Sequence, residues 1–199
     1  MRILLVGASG TVGQAAVREL SARHEIIKAG RSAGDVTVDL MSEDSVRAMF
    51  EKLGKVDAVV ACAGHVHFGP VSSMSPEQFR KGLNDKLMGQ VNLVLLGMEH
   101  VNDAGSFTLT SGILDRDPVR QGANAAAVNG AINAFVKGAA IEMPRGIRIN
   151  AVSPGLLEDS AKKYDGFFPG HEPVSSARVG LAFAKSVDGA LTGQVIAIG

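Results

Sequence analysis

The stretch GASGTVG, Gly7 to Gly13, follows a short apolar run and opens an amphipathic segment. Backbone N–H groups at such a turn, together with the positive end of the helix dipole, suit a phosphate group. The spacing is G-x-x-G-x-x-G, and Gly7, Ser9, Gly10, Thr11 and Val12 are the residues expected to meet a pyrophosphate. Further along, AGRSAGD sits where a dinucleotide-binding domain distinguishes its two cofactors: an acidic residue grips a ribose 2′-hydroxyl, and arginine accommodates a 2′-phosphate. Arg31 and Ser32 occupy that place, so NADP is expected ahead of NAD. Asp39, at the end of the third strand, is placed either to accept from an adenine amino group or to cap the turn that follows.

Other proton-handling groups are scattered. His65 and His67, in AGHVHFG, are of the type most used for general acid catalysis, and equally suited to loop hydrogen bonds with backbone or water. Their spacing has no third ligand pattern beside it, so no metal is expected. Asp115 and Asp117, in GILDRDP, fit turn duty before Pro118 or a place beside a site. Tyr164, the sole tyrosine, lies in YDGFFPGHEP, an irregular stretch of the kind that covers sites; it can give a proton, stack on a substrate or pack against Phe167 and Phe168. No histidine or carboxylate stands at nucleophile-activating spacing, which excludes hydrolase chemistry. GANAAAVNGAINAF, Gly122 to Phe135, is expected to begin a helix, yet no side chain in it exchanges a proton near neutral pH.

The elements that must position these groups alternate. Strands are expected at Arg2 to Val6, Glu25 to Ala29, Val36 to Asp39, Val56 to Ala61, Ser106 to Thr110, Arg148 to Val152 and Gln194 to Ile198. Helices are expected at Gln14 to Arg23, Ser42 to Leu53, Ser75 to Asn102 (one long or two shorter), Ala123 to Met143 and Ser175 to Val187. Continuous apolar strands separated by amphipathic helices imply a doubly wound α/β fold with a parallel sheet, whose ligands bind beyond the carboxyl ends of the strands. The 199 residues, 46% of them apolar, suit one domain spanning 1–199. Twenty basic residues balance twenty acidic ones, so no overall field draws the chain to nucleic acid or anionic lipid, and a small molecule is the expected partner. Cys62 is the only cysteine, and neither a signal peptide nor a membrane span is legible; a cytoplasmic location is expected.

With ACAG (Ala61 to Gly64), LTSG (Leu109 to Gly112) and RGIRINAVSPG (Arg145 to Gly155), the phosphate loop and second-strand end resemble the short-chain dehydrogenase/reductase family over essentially the whole chain. The resemblance implies a single Rossmann domain with seven parallel strands in the order 3-2-1-4-5-6-7, helices on both faces, and assembly as a homodimer or homotetramer. It further implies that Asp39 and Leu40 line the adenine pocket, Ala61, Ala63 and Gly64 the adenosine ribose and strand-four shelf, and Pro154 and Gly155 the nicotinamide.

The family's catalytic pattern is an asparagine, a serine and then Y-x-x-x-K. Ser111 matches the serine, which holds the substrate oxygen. The tyrosine position falls on Ala125, the lysine position on Asn129 and the asparagine position on Lys86, so lysine and asparagine stand exchanged and the tyrosine is replaced. Alanine has no proton to give, which makes this a divergent member lacking Y-x-x-x-K. The expected function is a divergent NADP(H)-binding oxidoreductase for a small carbonyl or related substrate, with proton delivery by water, a histidine or Tyr164. The alternative is an NADP(H)-binding sensor or interaction protein without turnover. Lys86 is expected to point toward the nicotinamide ribose within hydrogen-bond reach of Asn129.

Overall fold

In the computed structural model, which describes residues 1–199, seven parallel strands make one sheet. They are β1 (Arg2–Val6), β2 (Glu25–Gly30), β3 (Val36–Thr37), β4 (Val56–Ala61), β5 (Val101–Thr110), β6 (Arg148–Pro154) and β7 (Val195–Ile198), in the order β3-β2-β1-β4-β5-β6-β7. The helices are α1 (Thr11–Leu20), α2 (Glu43–Leu53), α3 (Pro76–Gly82), α4 (Gly89–Gly97), α5 (Ala123–Ala140), α6 (Glu158–Ala161) and α7 (Ser176–Asp188). None is long and apolar enough to cross a membrane.

The two-residue period of a strand explains the layers. Along β1, Ile3 and Leu5 join the core under α1 and α7, with Ala15, Ala16, Leu20, Val179 and Phe183. Leu4 and Val6 join the opposite core, with Phe50 of α2, Leu93 of α4 and Ile132 of α5. Because both faces of β1 are covered, its apolar run has no polar interruption. Each such fully buried side chain contributes roughly 1.5–3 kcal/mol of transfer free energy.

Local chemistry sets the helix starts. Ser42 caps α2 by accepting from the Ser45 N–H, and Ser75 and Gln78 form a capping box ahead of α3, with Pro76 at its first position. The expected helix from Ser75 to Asn102 is one continuous rod from Pro76 to His100 that carries a π-helical turn, Leu83–Met88, in its middle. Such a turn inserts an extra residue and re-aims the side chains it carries, here Asp85 and Lys86. β5 begins at Val101, earlier than expected, through a register shift against β4 and a left-handed Ala104.

Candidate functional site

The carboxyl ends of β1, β4, β5 and β6 converge on a cavity of about 550 Å³. At one end lies the loop Gly7 to Val12, where Gly10 is the residue before α1 and no side chain caps that helix. The first amides of α1 are therefore left for an acceptor that is not part of the chain, as an anion cradle requires. Arg31 lines the same end. At the other end, Ser111 is 3% exposed and its Oγ has no hydrogen-bond partner within the chain. A buried hydroxyl left unpaired is costly unless a ligand completes it.

Lys86 reaches in from the π turn. Its Nζ donates to Asn129 Oδ1 at 2.8 Å and to the Ser111 carbonyl oxygen at 2.7 Å. Gly64, in a left-handed conformation (φ 125°), makes room for the lysine stem: a Cβ there would lie 2.6 Å from Lys86 Cα and 2.7 Å from its Cβ and Cγ. Burial pushes the Lys86 ammonium down from 10.5 to about 8, and the nearby Asp115 carboxylate opposes that shift. Asp115 in turn accepts from Asn133 Nδ2 at 2.7 Å. Burial also drives the Cys62 thiol, in the cavity wall, up to about 12, so it is not a nucleophile at neutral pH.

Ser111, Lys86, Asn129 and Tyr164 all line one cavity with Gly7, Ser9, Gly10, Thr11, Val12, Arg31, Leu40, Ala63, Gly64, Pro154 and Gly155. Three expected positions do not. Asp39 is exposed, and its carboxylate accepts from the Met41 N–H at 3.1 Å, so it serves the turn, and Val38 takes its place in the wall. Ala61 is fully buried as the last residue of β4, its carbonyl accepting from Thr110 Oγ1, and Cys62 lines the cavity instead. Ser32 is exposed beside Arg31, outside the wall.

Tyr164 lies in an aromatic cluster, 6.0 Å from Phe168 and 6.3 Å from Phe68 between ring centroids. His65 stands exposed at the rim with Nδ1 3.0 Å from Asp85 Oδ2. His67 is not in the wall; its backbone N–H donates to Asn124 Oδ1. Asp117 lies 3.1 Å from His171 Nε2, off the hydrogen-bond direction.

The residues missed by sequence reasoning are Val66, Phe68, Ile113 and Leu114, which give the cavity an apolar wall near Ser111, and Gln90, whose amide holds Thr110 beside it. Gln90 is fully buried in α4, the only fully covered polar side chain of the apolar stretch GQVNLVLLG. The same stretch also carries Asn92, which is only half-buried, so the sequence had no signal that singled out Gln90.

The sequence model of the family described as enoyl-(acyl carrier protein) reductase matches residues 1–187. The crystal structure of the protein lin1944 from Listeria innocua is 54% identical, with 99% of this chain and 98% of that one covered and a TM-score of 0.98. A small-chain dehydrogenase crystallised in complex with NADPH is 27% identical, covers 99% of this chain and 95% of its own, and has a TM-score of 0.87. Versicolorin reductase of Emericella nidulans is 29% identical over 165 residues, 76% of this chain and 61% of that protein. The matches span between 41% and 61% of the lengths of the first four curated relatives. With the sheet order, the cavity at the glycine-rich turn and these matches together, the chain belongs to the short-chain dehydrogenase/reductase family.

Proposed function

We propose that the protein is an NADP(H)-dependent oxidoreductase acting on a small carbonyl or related group with an apolar body. The observation that carries this reading is the unpartnered Ser111 Oγ, buried in the same cavity whose far end is an uncapped helix N-terminus. The amides around Gly10 to Val12 hold the pyrophosphate, and Arg31 with Ser32 holds the 2′-phosphate. Leu40, Ala63 and Gly64 contact the adenosine half; Pro154 and Gly155 contact the nicotinamide. The cofactor, when bound, supplies the hydride. Ser111 Oγ donates to the substrate oxygen, while Ile113, Leu114, Phe68 and Phe168 pack its apolar body and keep water out.

A first test is the choice of cofactor. NADPH is expected to bind about ten- to a hundredfold more tightly than NADH, since a charge-assisted contact contributes roughly 1.5 to 3 kcal/mol. Arg31→Ala is expected to remove that preference in a titration of both dinucleotides. Equal affinities in the unmodified chain would refute it. NADPH oxidation against a panel of aromatic and aliphatic ketones then tests turnover, and binding without turnover would make the protein a nucleotide sensor.

Met88 and Leu95 on the central rod and Ile141 just past α5 are exposed at 42%, 58% and 86%, which supports assembly through these helices. A dimer or a pair of dimers is expected in sedimentation at micromolar concentration, and a monomer alone would count against it.

A further inference from the structure

We propose that Lys86 is the proton donor to the substrate oxygen, with Ser111 Oγ as a second donor to the same oxygen and Asn129 as the residue that positions the ammonium. The proposal rests on the reductase reading above and replaces the role that Ala125 is unable to perform.

The geometry of the nitrogen carries it. An ammonium has three N–H bonds. Asn129 Oδ1 accepts one at 2.8 Å and the Ser111 carbonyl accepts another at 2.7 Å, leaving one for a ligand in the cavity that Lys86 lines. Asn129 is itself buried, 3% exposed, and its carbonyl holds the lysine head in place. The hydroxyl of Ser111 belongs to the residue whose carbonyl Lys86 already holds. A carbonyl oxygen entering this corner therefore meets an O–H and an N⁺–H from adjoining anchors, which is the arrangement that stabilises a developing oxyanion.

The proton bookkeeping closes. As the carbonyl carbon gains a hydride, the C=O π bond opens and its electron pair moves to oxygen. That oxygen takes the third proton of the Lys86 ammonium and becomes a hydroxyl. The neutral amine keeps two N–H bonds, which are the two already donated to Asn129 and Ser111, so neither acceptor is left unpaired. Solvent at the cavity mouth returns the proton.

The titratable surroundings agree with such a role. Asp115, in the short turn after β5 and itself 3.9 Å from Arg116, acts on Lys86; Asp85 and His65 pair at the rim; Cys62 directly follows β4; Lys163 and Tyr164 lie on the covering segment. Loss of water around the ammonium brings its pKa to about 8, close to the working pH at which a general acid is most effective.

Two measurements test this. In the cofactor-free protein, carbon NMR of the Lys86 Cε is expected to show titration well below the ordinary lysine range, and Asn129→Asp, by placing a carboxylate on the ammonium, is expected to move it up by about one unit. In turnover, carbonyl reduction is expected to be level below pH 8 and to fall tenfold for each unit above it. That break should move upward in Asn129→Asp. Lys86→Arg keeps the charge but withholds the proton, so kcat is expected to fall about a hundredfold or more. NADPH affinity, read by fluorescence without substrate, should stay within about threefold. Ordinary titration of Lys86, or reduction indifferent to pH 6 to 9 and to Lys86→Arg, would overturn the proton-donor role alone. Affinity lost in proportion to rate would do the same, making Lys86 a ribose anchor. A chain that binds NADPH and reduces no carbonyl would overturn the reductase reading and this role with it.

Discussion

Gly13→Ala is expected to cost roughly 3 to 5 kcal/mol of stability and about a hundredfold in NADPH affinity, although it adds a single methyl group. Gly13 lies in the first turn of α1, and a Cβ there would fall on the Gly7 carbonyl oxygen and within 2.9 Å of Ala8 Cα. Both obstacles are backbone, and the Gly7 backbone is fixed from the other side because its N–H donates to the Ala29 carbonyl at 2.8 Å. No rotamer change relieves the overlap. The helix must back away from the turn, taking its uncapped amides out of line with the phosphate they are proposed to hold. Urea unfolding and a fluorescence titration with NADPH check the two effects separately. An unchanged midpoint together with unchanged affinity would show that the start of α1 has slack that the structure does not indicate.

Gln90→Met is expected to destabilise the chain by roughly 2 to 5 kcal/mol while nearly conserving volume. Its Nε2 donates to the Thr110 carbonyl at 2.9 Å and its Oε1 accepts from the Thr110 N–H at 2.8 Å. The side-chain amide thus substitutes for a neighbouring strand at the end of β5, beyond its last registered pair with β4 at Thr108. A thioether removes both partners from a residue that is 7% exposed and leaves two buried backbone groups unsatisfied. Because Ser111 follows directly, the loss should also loosen the hydroxyl proposed to hold the substrate oxygen. Thermal unfolding with hydrogen exchange at Thr110 and Ser111 is the check. Unaltered exchange at those two amides would sink the idea that Gln90 holds this strand end.

The sheet was legible because its strands announce themselves one at a time. β1 reads RILLV, and an apolar run covered on both faces needs no distant partner to be recognised. The glycine loop proposed to hold the phosphates was legible for a similar reason: it is a strand-to-helix turn with uncapped backbone amides, and three glycines within seven residues mark it. Asp39 shows the opposite case. The sequence allowed an adenine contact or a turn cap, and which one holds depends on where the carboxylate points, toward Met41. The register of side chains along the long central rod was not legible either. The π turn at Leu83–Met88 rotates everything after it, and nothing in LNDKLM declares it.

The sequence alone determined the family and the parallel seven-stranded sheet, and it pointed to the glycine-rich turn after β1 as the proposed nucleotide-binding end, since each rests on local pattern or on residue identity. It also brought Lys86 and Asn129 to notice as an exchanged pair. Only the tertiary structure decided what that pair does together: residues 43 apart in sequence meet at 2.8 Å because a π turn on one helix, a left-handed Gly64 and the buried face of α5 converge at the end of β5. Enclosure there strips water from the ammonium and lowers its pKa, and enclosure is a property of packed elements that no single stretch of chain possesses.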